Sequence, residues 1–247
     1  MIFFDLDDTI LDTFKINIEI FERVRKNLNL DIEKDEFRQT VRASFRKRMI
    51  ENFDFEYDER IGIDPLDYLF LTKEYEKENM NKFKDKVYND VKEILQGTSK
   101  EDFYQAFFER RFDYTTAISG MRELIEQLKK EGFKLGIITD GLSEVQHGKV
   151  DSLKMKNLFD FVFASADCGY GKPNPKFFRY AIEKSKCKVE ESIMIGNNIN
   201  SDVFGALAVG LNAIYFGEKP FNYKVNVAKD AIEILSLIHI WRCRRRG

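Results

Sequence analysis

Residues 1–10 read "MIFFDLDDTI", an unbroken apolar run that passes into three aspartates, Asp5, Asp7 and Asp8, within four positions. An apolar run with no polar alternation is the pattern of a strand buried on both faces, as in a parallel sheet. Four further runs have the same character: "KLGIIT" (134–139), "DFVFAS" (160–165), "SIMIG" (192–196) and "NAIYFG" (212–217). Helix-period stretches separate them. In "SGMRELIEQLKKEG" (119–132), Met121, Leu124, Ile125 and Leu128 recur at helical spacing, and Gly132 is placed to end the helix. "NPKFFRYAIEKSK" (174–186) and "SDVFGALAVG" (201–210) repeat the scheme. Strands alternating with helices predict a three-layer α/β core around a parallel sheet. Such sheets hold their ligands at the carboxyl ends of the strands, which is where the aspartates fall.

The alternation stops between about residues 14 and 116, where "EIFERVRKNLNL" (19–30), "DEFRQTVRASFRKRMIENF" (35–53), "NKFKDKVYNDVKEILQG" (81–97) and "SKEDFYQAFFERRF" (99–112) all have helical character. An inserted all-α unit is expected there. Its cations Arg23, Lys26, Arg42, Arg46, Lys47 and Arg48 are read as solvated faces of amphipathic helices, and its Phe and Tyr residues as core.

At 247 residues the chain is long enough for one large domain or two unequal ones. Lys+Arg 40 against Asp+Glu 42, spread along the chain, argues against nucleic acid as a partner. No apolar run approaches the ~18 residues of a membrane span, and the apolar start lacks a basic flank. Cys168, Cys187 and Cys243 are few, scattered and odd in number, so neither a disulfide framework nor a zinc site is indicated. The expectation is a cytoplasmic protein without membrane attachment, monomeric or homodimeric. The end, "LSLIHIWRCRRRG" (235–247), differs in kind: it contains the sole Trp of the chain and a sudden arginine cluster. From Leu235 to Arg245 it resembles a translated sequencing-library adapter, so 235–247 are set aside as a non-native tail. Removing its four arginines lowers the basic count from 40 to 36.

Each strand run ends in residues suited to phosphate chemistry. The first gives D-x-D-x-T at Asp5, Asp7 and Thr9; the second ends at Thr139-Asp140-Gly141; the third leads to G-K-P-x-P at Lys172; the fourth ends in Gly196-Asn197 followed by Asp202. In this order and at these strand ends the pieces resemble the haloacid dehalogenase-like superfamily, subfamily I, with a helical cap inserted after the first motif. The resemblance implies a Rossmann-like core formed by 1–13 and 117–234, with 14–116 as the cap, hinged near Gly120 and 11–14.

The resemblance further implies a phosphatase that uses Mg²⁺ on a small-molecule phosphate ester. Asp5 would attack phosphorus to form an aspartyl-phosphate, and Asp7 would protonate the leaving oxygen and then activate water. Two positions apart on an extended segment, Asp5 and Asp7 point to the same side, whereas Asp8 faces away and is read as structural. Phosphate would be held by Thr139, Asp140, Gly141 and Lys172, and the metal by the Asp5 carboxylate, the Asp7 carbonyl, Asn197 and Asp202. A phosphate monoester carries about −1.5 to −2 charge, so a carboxylate nucleophile requires these cations.

Asn197 departs from the family pattern, which has aspartate there, and removes one negative charge from the metal shell. Asp7 argues against dehalogenation, because halide departure needs no proton. A phosphomutase of the β-phosphoglucomutase type, or a catalytically weakened member with a binding role, are the alternatives. Gln146, in "TDGLSEVQHGKVDSLKM" (139–155), matches the nucleotidase-like branch and suggests a nucleoside 5′-monophosphate substrate, although Asp140 stands where that branch has Asn. His147 is read as a helix-surface residue.

Overall fold

The computed structural model describes residues 1–52, 64–69, 77–108, 116–218 and 224–244. Phe53 and 109–112, the ends of two expected helices, lie outside the described residues, as do the last tail positions, 245–247. The chain divides into two compact units, one of Met1–Asp12 with Thr115–Gly247 and the other of Thr13–Tyr114.

The first unit is built on six parallel strands, β1 (Ile2–Phe4), β2 (Leu135–Thr139), β3 (Phe161–Ala164), β4 (Ile193–Gly196), β5 (Asn212–Phe216) and β6 (Asn226–Ala228). Their order across the sheet is β3-β2-β1-β4-β5-β6, with helices on both faces, a Rossmann-like arrangement. Five strands are the apolar runs of the sequence. The sixth is a three-residue edge strand beginning at an exposed Asn226, too short to carry a period. Phe3 of β1 lies opposite Gly136 of β2 and Met194 of β4, and Ile2, Phe3 and Phe4 are fully buried. Because β1 has β2 on one side and β4 on the other, the connections diverge at its carboxyl end. That divergence opens the crevice in which such sheets bind ligands.

The second unit contains α1 (Thr13–Asn27), α2 (Lys34–Asn52), α3 (Lys77–Val91) and α4 (Lys100–Phe108), with a single turn at Pro65–Tyr68. Phe21, Phe37, Phe45, Phe83, Phe103 and Phe107 are buried and form its core. Phe107 meets both Phe21 and Phe45 at ring-centroid distances of 5.5 Å, the separation at which tilted and edge-on aromatic pairs are favourable. Arg46 and Lys47 are exposed, as expected of a solvated face, but Arg48 is not free in solvent. Its Nε donates to Asp90 at 2.7 Å and so ties α2 to α3.

Around the sheet lie α5 (Met121–Lys130), α6 (Ser143–Ser152), α7 (Pro175–Ser185) and α8 (Ala231–Arg244). Met121, Leu124, Ile125 and Leu128 form the buried stripe of α5, and Gly132 follows its end in the left-handed conformation (φ 82°). The helix expected at 201–210 is present, as a π-helical stretch, Ile199–Phe204, that runs directly into a short α-helical turn, Gly205–Leu207. Asn198 caps its start: its Oδ1 accepts from the N–H groups of Asn200 and Ser201, and its own N–H donates to Asp202 at 2.8 Å. Helix α8 runs on through residues set aside as tail, burying Ile238 and placing His239 Nε2 2.9 Å from the Glu131 carboxylate. Among the described residues no helix is long and apolar enough to cross a membrane.

Candidate active site

Strand β1 ends at Phe4, and Asp5 follows at its carboxyl end with its N–H donating to the Ile195 carbonyl of β4 at 2.8 Å. The chain then turns at once. The N–H groups of Ile10 and Leu11 converge on the Leu6 carbonyl at 3.0 and 2.9 Å, and Asp8 takes a left-handed φ of 57°, which aspartate tolerates better than most residues. Asp5 and Asp7 both precede the turn residues 8–10, and Asp7 forms an isolated parallel bridge with Leu11. They take different partners.

Asp5 belongs to a buried trio. Lys172 Nζ lies 2.6 Å from Asp5 Oδ1 and 2.6 Å from Asp202 Oδ1, and the three side chains are 3%, 8% and 1% exposed for Lys172, Asp5 and Asp202. The other oxygen of Asp202 accepts the Asn198 N–H, so the structure uses Asp202 to anchor Lys172. Gly196 makes the arrangement possible, since a Cβ there would collide with the Asp202 carboxylate. Burial alone would lower the ammonium pKa of Lys172, but Asp202 and Asp5 hold it above the ordinary lysine value.

Asp7 is held from helix α6. Lys149 Nζ lies 2.9 and 3.1 Å from its two carboxylate oxygens, and Gln146 Nε2 donates to Oδ2 at 2.9 Å. The same Gln146 nitrogen lies 2.6 Å from Thr139 Oγ1 and 2.7 Å from the Asp140 carbonyl. Thr139, the last residue of β2, is thereby linked to Asp7 through one amide. Asp140 Oδ1 accepts the Lys172 N–H at 2.8 Å, and the Gly141 N–H donates to Ser165 Oγ at 2.8 Å. His147, on the same helix, is half-buried.

All eight expected site residues thus lie in the first unit, Thr139 as the last residue of β2 and the others in the segments that follow β1, β2, β3 and β4. The sequence reading did not assign Thr9, Lys149 or Ser165. Thr9 is fully buried, with its hydroxyl 3.5 Å from Asp5 Oδ2 and 3.3 Å from Asn197 Oδ1.

The sequence profile of the haloacid dehalogenase-like hydrolases matches residues 1–210. The chain belongs to that family. This haloacid dehalogenase-like hydrolase is 33% identical over 222 residues to the glyceraldehyde 3-phosphate phosphatase of Pyrococcus furiosus, covering 87% of this chain and 80% of the relative. It is 25% identical to the phosphoserine phosphatase of Thermus thermophilus, covering 87% of each. In fold it is similar to a magnesium-bound HAD-hydrolase from Bacillus subtilis, with a TM-score of 0.66, 20% identity and coverage of 98% of this chain and 97% of the other. The enzyme class shared with the curated relatives is that of a phosphatase.

The oxygens about Asp5 suit a hard cation. Among the described residues no cluster of three or more His, Cys, Asp or Glu side chains could hold a metal alone. The donor set on offer is different: the Asp5 carboxylate and the Asn197 amide oxygen, both within reach of the one Thr9 hydroxyl. All are oxygens, and Mg²⁺ is commonly held by one or two carboxylates completed by waters and substrate phosphate.

Burial pushes the Asp5 carboxyl from 3.8 up to about 8, with Lys172 opposing and Asp202 adding to the rise. Burial also pushes Asp140 up to about 6, again against the pull of Lys172. Both groups keep protons in the folded chain at pH values where the unfolded chain has lost them. Their contribution to stability is therefore full below about pH 4 and is lost as pH rises through 6 and then 8. The melting temperature of the metal-free hydrolase should fall between about pH 4 and 8, more steeply below pH 6 where both groups contribute, and Asp140→Asn should remove the part of that fall between about pH 4 and 6. Thermal scans across this range check it, and an unchanged profile in the variant would contradict the assignment.

Proposed function

We propose that this hydrolase is a Mg²⁺-dependent phosphomonoesterase acting on a small three-carbon monophosphate through an aspartyl-phosphate. The observation that carries the reading is the Lys172 ammonium 2.6 Å from Asp5, a cation poised beside a carboxylate at the carboxyl end of the central strand. An Asp5 oxygen attacks phosphorus as the bond to the leaving oxygen breaks, and Asp7 gives that oxygen its proton. Asp7, now a carboxylate, takes a proton from water, whose oxygen attacks the aspartyl-phosphate to release inorganic phosphate and restore Asp5.

Lys172 offsets the charge on the transferring phosphoryl group, and Thr139 and the backbone at Asp140 and Gly141 hold its oxygens. Asp202 keeps Lys172 in place. Asp5, the Asp7 carbonyl and Asn197 would hold Mg²⁺, which when bound supplies further charge to offset the phosphoryl oxygens.

The two relatives described above are named for three-carbon monophosphates, and both match most of this chain. Gln146, on which a nucleotidase reading rests, spends its amide nitrogen on Asp7, Thr139 and Asp140. The proposal includes a cytoplasmic location, with which three free cysteines accord.

Phosphate release over glyceraldehyde 3-phosphate, phosphoserine, nucleoside 5′-monophosphates and hexose phosphates, with Mg²⁺ and with chelator, tests the reading. Release that needs Mg²⁺ and is fastest on a three-carbon ester is expected. Preference for a nucleotide would move the substrate class, isomerisation of a hexose phosphate would make the protein a mutase, and no release from any ester would leave it a binding protein.

A further inference from the structure

The inward face of α6 contains two polar side chains where an amphipathic helix would ordinarily place apolar ones. Val145, Gln146, Lys149 and Val150 are its buried residues, and Gln146 and Lys149 are three apart, hence neighbours on one face. Lys149 is 7% exposed, and its ammonium spans both oxygens of Asp7. Gln146 is fully buried, and its Oε1 has no hydrogen-bond partner. The opposite amide orientation would set that oxygen against the Asp7 carboxylate. The amide is therefore turned by its donors towards Asp7, Thr139 and Asp140, and its acceptor is left unsatisfied.

A buried ammonium and a half-satisfied buried amide are poor choices for stability alone, since apolar residues of similar volume usually serve a core at least as well. What they provide is orientation. An ammonium across both oxygens fixes the plane of a carboxylate, and an amide nitrogen shared by Asp7 and Thr139 fixes its distance from the end of β2.

We propose that Lys149, together with Gln146, is a positioning residue for Asp7, setting the side-chain geometry from which Asp7 exchanges its proton with the leaving oxygen. The proposal rests on the acid and base role given to Asp7 above. Lys149 is given no contact with substrate here; it acts through Asp7.

The test compares two esters, p-nitrophenyl phosphate, whose leaving group departs without a proton, and glycerol 3-phosphate, whose leaving group needs one. Asp7→Asn, Lys149→Met and the double variant are assayed at saturating Mg²⁺, with thermal unfolding as the check on folding. Lys149→Met should lose roughly 10- to 100-fold in kcat on the alkyl ester, the scale of a misplaced catalytic group, with little change in KM. The loss on the nitrophenyl ester should be several-fold smaller. The double variant should be no slower than Asp7→Asn alone, because two residues acting through one step are not additive.

Equal losses on the two esters, full additivity, or no loss in Lys149→Met would each overturn the proposal, provided that Asp7→Asn itself discriminates between them. If Asp7→Asn slows both esters equally, the reading of Asp7 fails first and the proposal goes with it. Gln146→Met, which removes the other support of Asp7, gives the same comparison should Lys149→Met not fold.

Discussion

Asp5→Asn should abolish turnover, by roughly 10⁴-fold or more, and yield no acid-stable radiolabelled protein on incubation with ³²P-labelled substrate. The same substitution should leave the fold at least as stable as before. Asp5 is one of two carboxylates within 2.6 Å of a single ammonium, and burial raises its pKa to about 8. Ionised Asp5 is therefore a cost to the folded state at neutral pH. An amide of the same shape removes the repulsion between Asp5 and Asp202 and leaves Lys172 with Asp202 as a neutral pair. A catalytic position that works against stability is the usual trade-off at sites assembled for chemistry. Melting curves at pH 7.5 without metal, alongside assays with Mg²⁺, read both halves. A variant that lost activity and also unfolded many degrees earlier would show Asp5 to be a structural residue.

Much of this was legible because a buried parallel sheet writes itself as short apolar runs, and the residues after each run inherit a fixed place. Knowing that β1, β2 and β4 end at Phe4, Thr139 and Gly196 is enough to bring Asp5, Asp140 and Asn197 to one edge. Side-chain pairing is a different matter. Asp5 and Asp7 share a spacing, but Asp5 is met by Lys172 from the segment after β3 and Asp7 by Lys149 and Gln146 from α6, and pairings so distant along the chain are not written in the spacing. A lysine on a helix is ordinarily a solvated charge, so the residue type of Lys149 does not mark it as part of the site. The signal was nevertheless present: Leu142, Val145, Gln146, Lys149, Val150 and Leu153 are the buried positions of this segment and recur at helical spacing. Two polar residues within an inward stripe were the mark of a site. The short strand β6 left no comparable signal, being too short for a period.

Lys172→Met should have the opposite thermal effect from Asp5→Asn. Methionine matches the length of the lysine stem and none of its charge, so Asp5 and Asp202, 8% and 1% exposed, are left facing each other without a cation. Removing one member of a buried charge cluster typically costs about 3–5 kcal/mol, because the remaining charge is neither solvated nor paired. For a chain of this size each kcal/mol corresponds to about 2–4 °C, which puts the expected fall in melting temperature at roughly 6–20 °C. One carboxyl escapes part of the penalty by keeping its proton. The deficit should therefore be smaller at pH 5 than at pH 8, where the retained proton is harder to hold. Turnover should fall by at least ~10²-fold, both because the phosphoryl charge loses its counter-ion and because Asp5, without the ammonium that opposes the effect of burial, holds its proton more tightly. Asp202→Asn separates the two effects: Lys172 keeps Asp5 as partner, so stability should change little, while activity drops as the ammonium loses its second anchor. Differential scanning of the three proteins at pH 5 and pH 8 gives the comparison. A Lys172→Met protein melting within about 2 °C of the parent at pH 8 would mean that the two carboxylates do not meet at one ammonium in solution.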